Sequence, residues 1–276
     1  MKIGILNNQT GGWAFSAIAT MLSNALGIDI VEEPVDYNYV LSWEPIKEIT
    51  GKTFIPLNSI LVAADKRKIA KLFNSSHVPS PKTVLCETLN QVKNILEDNS
   101  SEWVLKYPTG CGANGHRMIK NLNDIPNNWL KPYIIQQFIR LEEPQVFRFY
   151  CVDADLFGFN VRKFPPGIKK SPWVAHACGA KYQFGEKPPT KAIVAAQAAL
   201  QATGLWTSFG CVDLIKDDLD NWYVLEVGTD GIFTYVDRDF DNPDLLDEMN
   251  MRIAKAFWKQ VGTPPWSSKS WKYKTV

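Results

Sequence analysis

The chain has little histidine, and its cysteines follow no pairing pattern. The three histidines, His77, His116 and His176, are too few and too widely spaced to build a metal cluster, and a structural role suits each better. The five cysteines (Cys86, Cys111, Cys151, Cys178 and Cys211) are odd in number and include no C-x-x-C pair. That fits the reduced thiols of a cytoplasmic protein better than disulfides or a zinc site. No apolar run approaches the roughly 20 residues that a bilayer-spanning helix needs, so no membrane partner is expected. The opening apolar stretch, Met1 to Leu6, is too short for a signal peptide and reads as a strand. A net charge of only +1 lacks the basic excess that nucleic-acid backbones require, which argues against that class of partner and leaves only a local basic groove open to it. No internal repeat is present, and no Ser-His-Asp or Cys-His nucleophile arrangement can be assembled. With 276 residues the chain can bury a sizeable core in one or two domains.

The periodicities that are present suggest an α+β chain. Lys2–Leu6, a helix-like Trp13–Leu26 and Ile28–Val31 form a βαβ opening compatible with a small Rossmann-like unit. The intervening Gly11-Gly12 lacks the G-x-G-x-x-G spacing and reads as a turn. Between Pro34 and Pro56 the pattern weakens, and Leu57–Ala63 is again strand-like. Asp65 is placed to cap a basic helix, Lys66–Phe73, and Val78-Pro-Ser-Pro81 breaks any helix after it. Strands are expected at Lys82–Cys86, Trp103–Lys106, Met118-Ile119, Tyr133–Ile139, Val146–Val152, Leu156–Val161 and Trp173–Ala180. Helices are expected at Leu89–Leu96, Thr190–Thr203 and Leu245–Val261. Phe209–Ile215 and Trp222–Val227 flank the acidic turn Lys216–Asn221 as a hairpin, and the tail from Thr263 reads as surface coil.

Two segments about a hundred residues apart could carry chemistry. Lys106-Tyr-Pro-Thr-Gly-Cys-Gly-Ala-Asn-Gly115 ends a strand on a lysine and enters a loop with Gly110, Gly112 and Gly115 around Ala113 and Asn114. Glycines let backbone N–H groups approach phosphate oxygens, and the lysine adds a positive charge. A plain glycine-rich hairpin turn is the alternative. Asp213 and Glu226 lie near the ends of adjacent strands, where a carboxylate is costly to bury unless a cation or donor satisfies it. Magnesium takes a few carboxylates together with substrate phosphates, which such a pair would provide; two exposed strand-edge acids are the alternative. Asp217, Asp218 and Asp220 fit a solvated turn. Arg148, Arg162 and Lys163 could neutralise phosphoryl oxygens or serve as surface charge. Cys111 sits in the loop, but a nucleophilic role there is poorly supported.

Taken in order, these segments resemble the ATP-grasp superfamily of carboxylate–amine ligases, from about Asp65 to about Asp237. Asp65-Lys66 with Val78-Pro-Ser-Pro-Lys-Thr83 resembles the opening motif, whose lysine reaches the nucleotide phosphates. Trp103-Val-Leu-Lys-Tyr-Pro108 and its loop resemble the strand and lid, which would place Lys106 on the α and β phosphates. Tyr133-Ile-Ile-Gln-Gln-Phe-Ile139 is similar to the linker whose backbone reads the adenine edge, with Gln136, Gln137, Phe138 and Ile139 in that role and Gln137 replacing a glutamate. Val146-Phe-Arg148 resembles a D-x-R segment with valine in place of the acid. Arg162-Lys163 stands where a basic residue stabilises the γ-phosphate and the acyl phosphate. Asp213 and Glu226 match the metal acids. The family's Glu-x-Asn here reads Glu226-Val-Gly228-Thr-Asp230, so the missing oxygen would come from Asp230 or Thr229.

The resemblance implies an ATP-grasp fold with a short α/β domain over residues 1–62. A small subdomain with the glycine-rich lid would follow over 63–141, and a large subdomain with the metal site over 142–276. It implies ATP and Mg²⁺ (or Mn²⁺), a small-molecule or peptide carboxylate, an amine acceptor and an amide product made through an acyl phosphate. A non-catalytic ATP-binding module and a phosphotransferase on the same fold are the alternatives, and a homo-oligomer stays open.

Overall fold

The computed structural model describes residues 1–9, 13–46, 49–97, 101–110, 112–231 and 236–262. Gly11, Gly12, Cys111 and the tail from Thr263 lie outside the described residues. Three sheets organise the described residues. In the first, β1 (Ile3–Asn7), β2 (Ile30–Val31), β3 (Tyr37–Leu41) and β4 (Lys52–Thr53) run parallel in the order β2-β1-β3-β4. Helix α1 (Trp13–Leu26) is the crossover between β1 and β2. All five residues of β3 are buried. A strand covered on both faces loses the alternation that marks a half-exposed one, and that is why this element left no sequence signal.

The last helix, α7 (Asp244–Val261), returns to cover this first sheet. Phe257 is fully buried there, with its ring 5.3 Å from Tyr37 and 5.6 Å from Phe54. Trp258 donates from Nε1 to the Leu26 carbonyl at 3.0 Å, and Tyr37 donates from its hydroxyl to Gln260 at 2.9 Å.

The second sheet is antiparallel, with β5 (Thr83–Cys86), β6 (Trp103–Lys106), β7 (His116–Ile119) and β8 (Tyr133–Gln137) in the order β5-β8-β6-β7. Successive side chains alternate between its faces. Cys86, Trp103, Leu105, Ile119, Tyr133 and Ile135 pack with Val92 of helix α4 (Leu89–Leu96). Val104, Lys106, His116, Met118, Ile134 and Gln136 face the other way, into a cleft. The third sheet is also antiparallel. Its strands β9 (Gln145–Val152), β10 (Asp155–Lys163), β11 (Lys181–Phe184), β12 (Phe209–Lys216) and β13 (Trp222–Gly228) are ordered β11-β10-β9-β12-β13. Helix α5 (Thr190–Ala202) packs on β12 and β13 through buried Ala192, Ala195, Ala196 and Ala199. The opposite face of that sheet looks across the cleft at the second sheet.

Two expected strands take other forms. Leu57–Ala63 is a helix, α2, entered from extended Pro56. Its Leu57, Ile60 and Leu61 repeat at helical rather than alternating spacing, a signal that seven residues made easy to misread. Trp173–Ala180 is a loop with one 3₁₀ turn at His176–Cys178, ended by Gly179 at φ +89°, and the strand begins only at Lys181. Asp65 caps helix α3 (Lys66–Ser75) by accepting from the Arg67 N–H at 2.9 Å, and the side chain of Arg67 also binds it. Among the described residues no helix is long and apolar enough to cross a membrane.

Because Phe257 joins the last helix to the first sheet, Phe257→Ala is expected to destabilise the chain by about 3–5 kcal/mol. Chemical denaturation monitored by tryptophan fluorescence would measure this. A loss below about 1 kcal/mol would mean that α7 is not integral to that core.

Candidate active site

A cleft of about 1510 Å³ lies between the second and third sheets, and residues of α1 and of the segment after β3 also line it. The register of the third sheet sets its floor. Asn160, Arg148, Asp213 and Glu226 stand opposite one another on β10, β9, β12 and β13. Directly opposed residues of antiparallel strands share a face, so Arg148 and Asp213 meet at side-chain distance. Arg148 donates from Nε to Asp213 Oδ1 at 2.5 Å and from Nη2 to Oδ2 at 2.8 Å, a bidentate pair. Arg162 adds a third donor to Oδ2 at 3.1 Å.

The Asp213 side chain is only 2% exposed. Burial alone would raise its carboxyl, but the two guanidiniums outweigh that and hold it below the ordinary carboxylate range. Glu226, its neighbour on β13, is exposed to the cleft.

Tyr182 on β11 supports this arrangement, and no sequence motif pointed to it. Its hydroxyl accepts from Arg162 Nη1 at 2.8 Å, and its ring lies 5.7 Å from the Arg148 guanidinium and 5.4 Å from that of Arg162. Arg162 also donates from Nε to the Val174 carbonyl at 2.7 Å, and the Tyr182 N–H donates to Asp239 at 2.9 Å. Lys163 takes no part. It follows Arg162 on the same strand, so alternation turns it to the opposite face, and it does not line the cleft. The expected catalytic role of Lys163 is therefore withdrawn.

On the facing jaw, Lys106 ends β6 opposite His116 of β7. Burial lowers the Lys106 ammonium to about 8, with Glu226 opposing the shift and Lys66 adding to it. Burial also depresses His116, to about 3, helped by Lys106 and Lys66, so this imidazole is neutral at physiological pH. Lys66 ties the glycine-rich loop to α3, since its Nζ donates to the Gly110 carbonyl at 2.7 Å and its N–H donates to that of Pro108 at 2.9 Å. Gly110, Gly112, Ala113 and Asn114 border the cleft. Gly115 does not; it has φ +82°, and a Cβ there would sit 2.6 Å from Tyr107 Cβ. It is a glycine because the hairpin closes on Tyr107, which corrects its placement on the phosphate side.

Gln136, Gln137, Phe138 and Ile139 all border the cleft. The N–H of Gln137 donates to Lys82 and that of Phe138 to Glu102, so those two donors are engaged within the fold. Trp173 of the third-sheet loop reaches across to this jaw, 5.4 Å from His116 and 6.0 Å from Phe138. His176 sits on the 3₁₀ turn beside Asp239 rather than in a sheet, and His77 adopts φ +55° just past the end of α3.

The expected trio of metal acids does not assemble as one cluster. Among the described residues no three histidine, cysteine, aspartate or glutamate side chains converge on a common point. Asp230 accepts from Trp43 Nε1 at 3.2 Å instead. At Gly228 a Cβ would lie 3.1 Å from Cys211 Sγ and 3.3 Å from Asp230 Oδ1, so neighbours already crowd the space a side chain would need. Asp213 and Glu226 remain as a pair on one face, open to the cleft through Glu226. Both Asp213 oxygens are already held by the arginines, so Glu226 is the member of the pair left open to a hard cation, which takes its other ligands from phosphates and water. Asp217 orders the hairpin turn, accepting from the N–H groups of Leu219 and Asn221.

Fold and site together define a two-jawed cleft with lysines on one jaw and an arginine–carboxylate floor on the other. The chain belongs to the ATP-grasp family, whose domain model matches residues 63–229. Comparison with curated proteins finds no match. Among solved structures it is similar to the D-cycloserine synthetase DcsG, at 16% identity and TM-score 0.67, covering 94% of this chain and 99% of that one. It is also similar to D-alanine–D-alanine ligase from Bacillus anthracis, at 13% identity and TM-score 0.65, covering 95% and 100%. The ATP-grasp ligase PsnB, solved with a minimal precursor, gives 11% and 0.65 over 95% and 99%. At these identities the likeness concerns the fold.

Removing Arg148 leaves a buried carboxylate with one partner fewer, so Arg148→Met is expected to cost about 3 kcal/mol of stability. Asp213, with its pKa lowered by folding, stabilises the protein at neutral pH. That contribution is lost as the pH falls below about 4, the unfolded value, through the folded one. Urea titrations across that range should show the wild-type loss and a shallower one in Arg148→Met. Equal slopes would count against the pair.

Proposed function

We propose that this chain is an ATP-dependent ligase that joins a carboxylate to an amine. The observation that carries this reading is the opposition of Lys66, Lys106 and the glycine-rich loop to the Arg148–Asp213–Glu226 row within one cleft. One jaw supplies positive charge and backbone for a polyphosphate. The other supplies the cations and carboxylates that phosphoryl transfer needs.

A substrate carboxylate attacks the γ-phosphorus and ADP leaves, giving an acyl phosphate. The amine, once it has given up its ammonium proton, attacks the acyl carbon, phosphate leaves, and the nitrogen loses a second proton to the departing phosphate as the amide forms. The protein's part is positioning and neutralising charge. Lys106 and Lys66 hold the phosphates, and the loop from Gly110 to Asn114 covers them. Arg162, fixed by Tyr182 and Val174, directs its guanidinium at the transferring group, and Arg148 keeps Asp213 in place. Glu226 would hold Mg²⁺ together with phosphate and water oxygens, since both Asp213 oxygens are taken by Arg148 and Arg162, and the ion when bound offsets phosphate charge.

Gly228 favours a second reading, a module that binds ATP without turnover, because the asparagine oxygen expected there has no counterpart at that position. ADP release on adding candidate acids separates the two readings. An amine requirement separates the ligase from a phosphotransferase.

Glu226→Gln keeps the side chain's shape and removes its charge. It should abolish Mg²⁺-dependent turnover, by at least about a hundredfold, with little change in melting temperature. Unchanged turnover would refute the metal assignment. Lys106, held at about 8 in the free protein, should be driven back to its charged form by a bound polyphosphate. Nucleotide binding near pH 9 should therefore take up about one proton, and near pH 7 almost none. Calorimetry in buffers of different ionisation enthalpy measures this, and Lys106→Met should remove it.

A further inference from the structure

The end of the cleft nearest the first sheet differs chemically from the phosphate end. Phe15, Ala17, Ile18, Trp43 and Glu44 line it, and none carries positive charge. Trp43 meets Phe15 edge-on, with centroids 4.5 Å apart and planes at 87°. Phe15 is buried beneath it, whereas Trp43 stays 43% exposed, so an indole face opens into a concave space. A large aromatic surface in such a place is suited to receive an apolar group.

The indole is also held at its polar edge. Trp43 Nε1 donates to Asp230 Oδ2, which fixes the Asp230 carboxylate beside the aromatic wall. Asp230 lies just beyond β13, two residues past Gly228, and Gly231 follows it. A Cβ at 231 would fall 2.3 Å from Cys211 Sγ and 3.6 Å from Arg148 Nη1, so the backbone here runs against the arginine floor. The carboxylate therefore stands where the aromatic end meets the phosphate end. Arg148, the cation against which this backbone runs, is already bound to Asp213. Glu44 supplies a second carboxylate on the aromatic side.

We propose that this end of the cleft is the subsite for the amine partner, a primary ammonium carried on an apolar body of aromatic size. The ammonium is received by Asp230 and Glu44, and the body lies on Trp43 over Phe15. A cation close to the indole face gains further attraction from the ring. Two carboxylates repel a second acid from this end and so keep the acid and amine substrates apart. The proposal rests on the ligase reading above, which assigns the phosphate end to the nucleotide and leaves the amine to be placed.

Thermal unfolding of the full chain tests it, with Mg²⁺ and a non-hydrolysable ATP analogue present throughout. Phenethylamine, ethylamine and 3-phenylpropionate serve as probes. Phenethylamine should raise the melting temperature beyond the nucleotide's own effect, ethylamine much less, and 3-phenylpropionate not at all. Its apparent affinity should fall about tenfold in Trp43→Ala and in Asp230→Asn. The asparagine variant keeps an acceptor for Trp43 and removes only charge, so it decides the matter if Trp43→Ala does not fold. An unchanged phenethylamine response in Asp230→Asn, or an equal response to 3-phenylpropionate, overturns the subsite. A nucleotide response with no phenethylamine response overturns the subsite alone. Absence of the nucleotide response overturns the ligase reading and the subsite with it.

Discussion

The grip of two arginines on Asp213 is the interaction on which the rest of the site depends. A carboxylate this deeply buried on a sheet face is tolerated only because Arg148 reaches it from the adjacent strand β9 and Arg162 from β10, one strand further. That demand fixes the register of three strands. A slip of one residue would send both guanidiniums to the face covered by α5 and leave the acid alone. The grip extends outward through Tyr182 to Asp239 on helix α6 (Val236–Phe240), so the β12–β13 hairpin, the meander and the edge strand β11 form one connected polar unit. Glu226 is the open member of the row, exposed to the cleft.

Much of this was legible in the residues because several motifs are local. Asp65 before a basic helix announces a cap, and the cap is there. A strand running into a glycine-rich loop predicts the β6–β7 hairpin, and the acidic turn predicts β12–β13. Period-two alternation was also enough to separate Arg162 from Lys163, since adjacent strand residues cannot face the same cleft. Reading the two as a pair overlooked a signal that was present.

What escaped the sequence depends on long-range contact. Trp43 and Asp230 are 187 positions apart, and nothing near either residue marks it for the other. Tyr182 is one tyrosine among nine until β11 is laid beside β10. The strand Tyr37–Leu41 is hidden for a different reason: burial on both faces removes the contrast between polar and apolar neighbours. Gly228 was visible as a departure, but the crowding by Cys211 and Asp230 that accompanies it is a property of packing alone.

The return of α7 to the first sheet has a consequence for how the chain is made. The ribosome delivers β1, α1 and β3 early, yet the rings of Tyr37 and Phe54 receive Phe257 only after some two hundred further residues have been added. At about 5–20 residues per second, this hydrophobic surface waits on the order of ten seconds or more for its cover. During translation the second and third sheets can form around the future cleft while the first sheet is still incomplete. The sheet that holds Tyr37, with Phe54 beside it, is made before the other two and is finished after them.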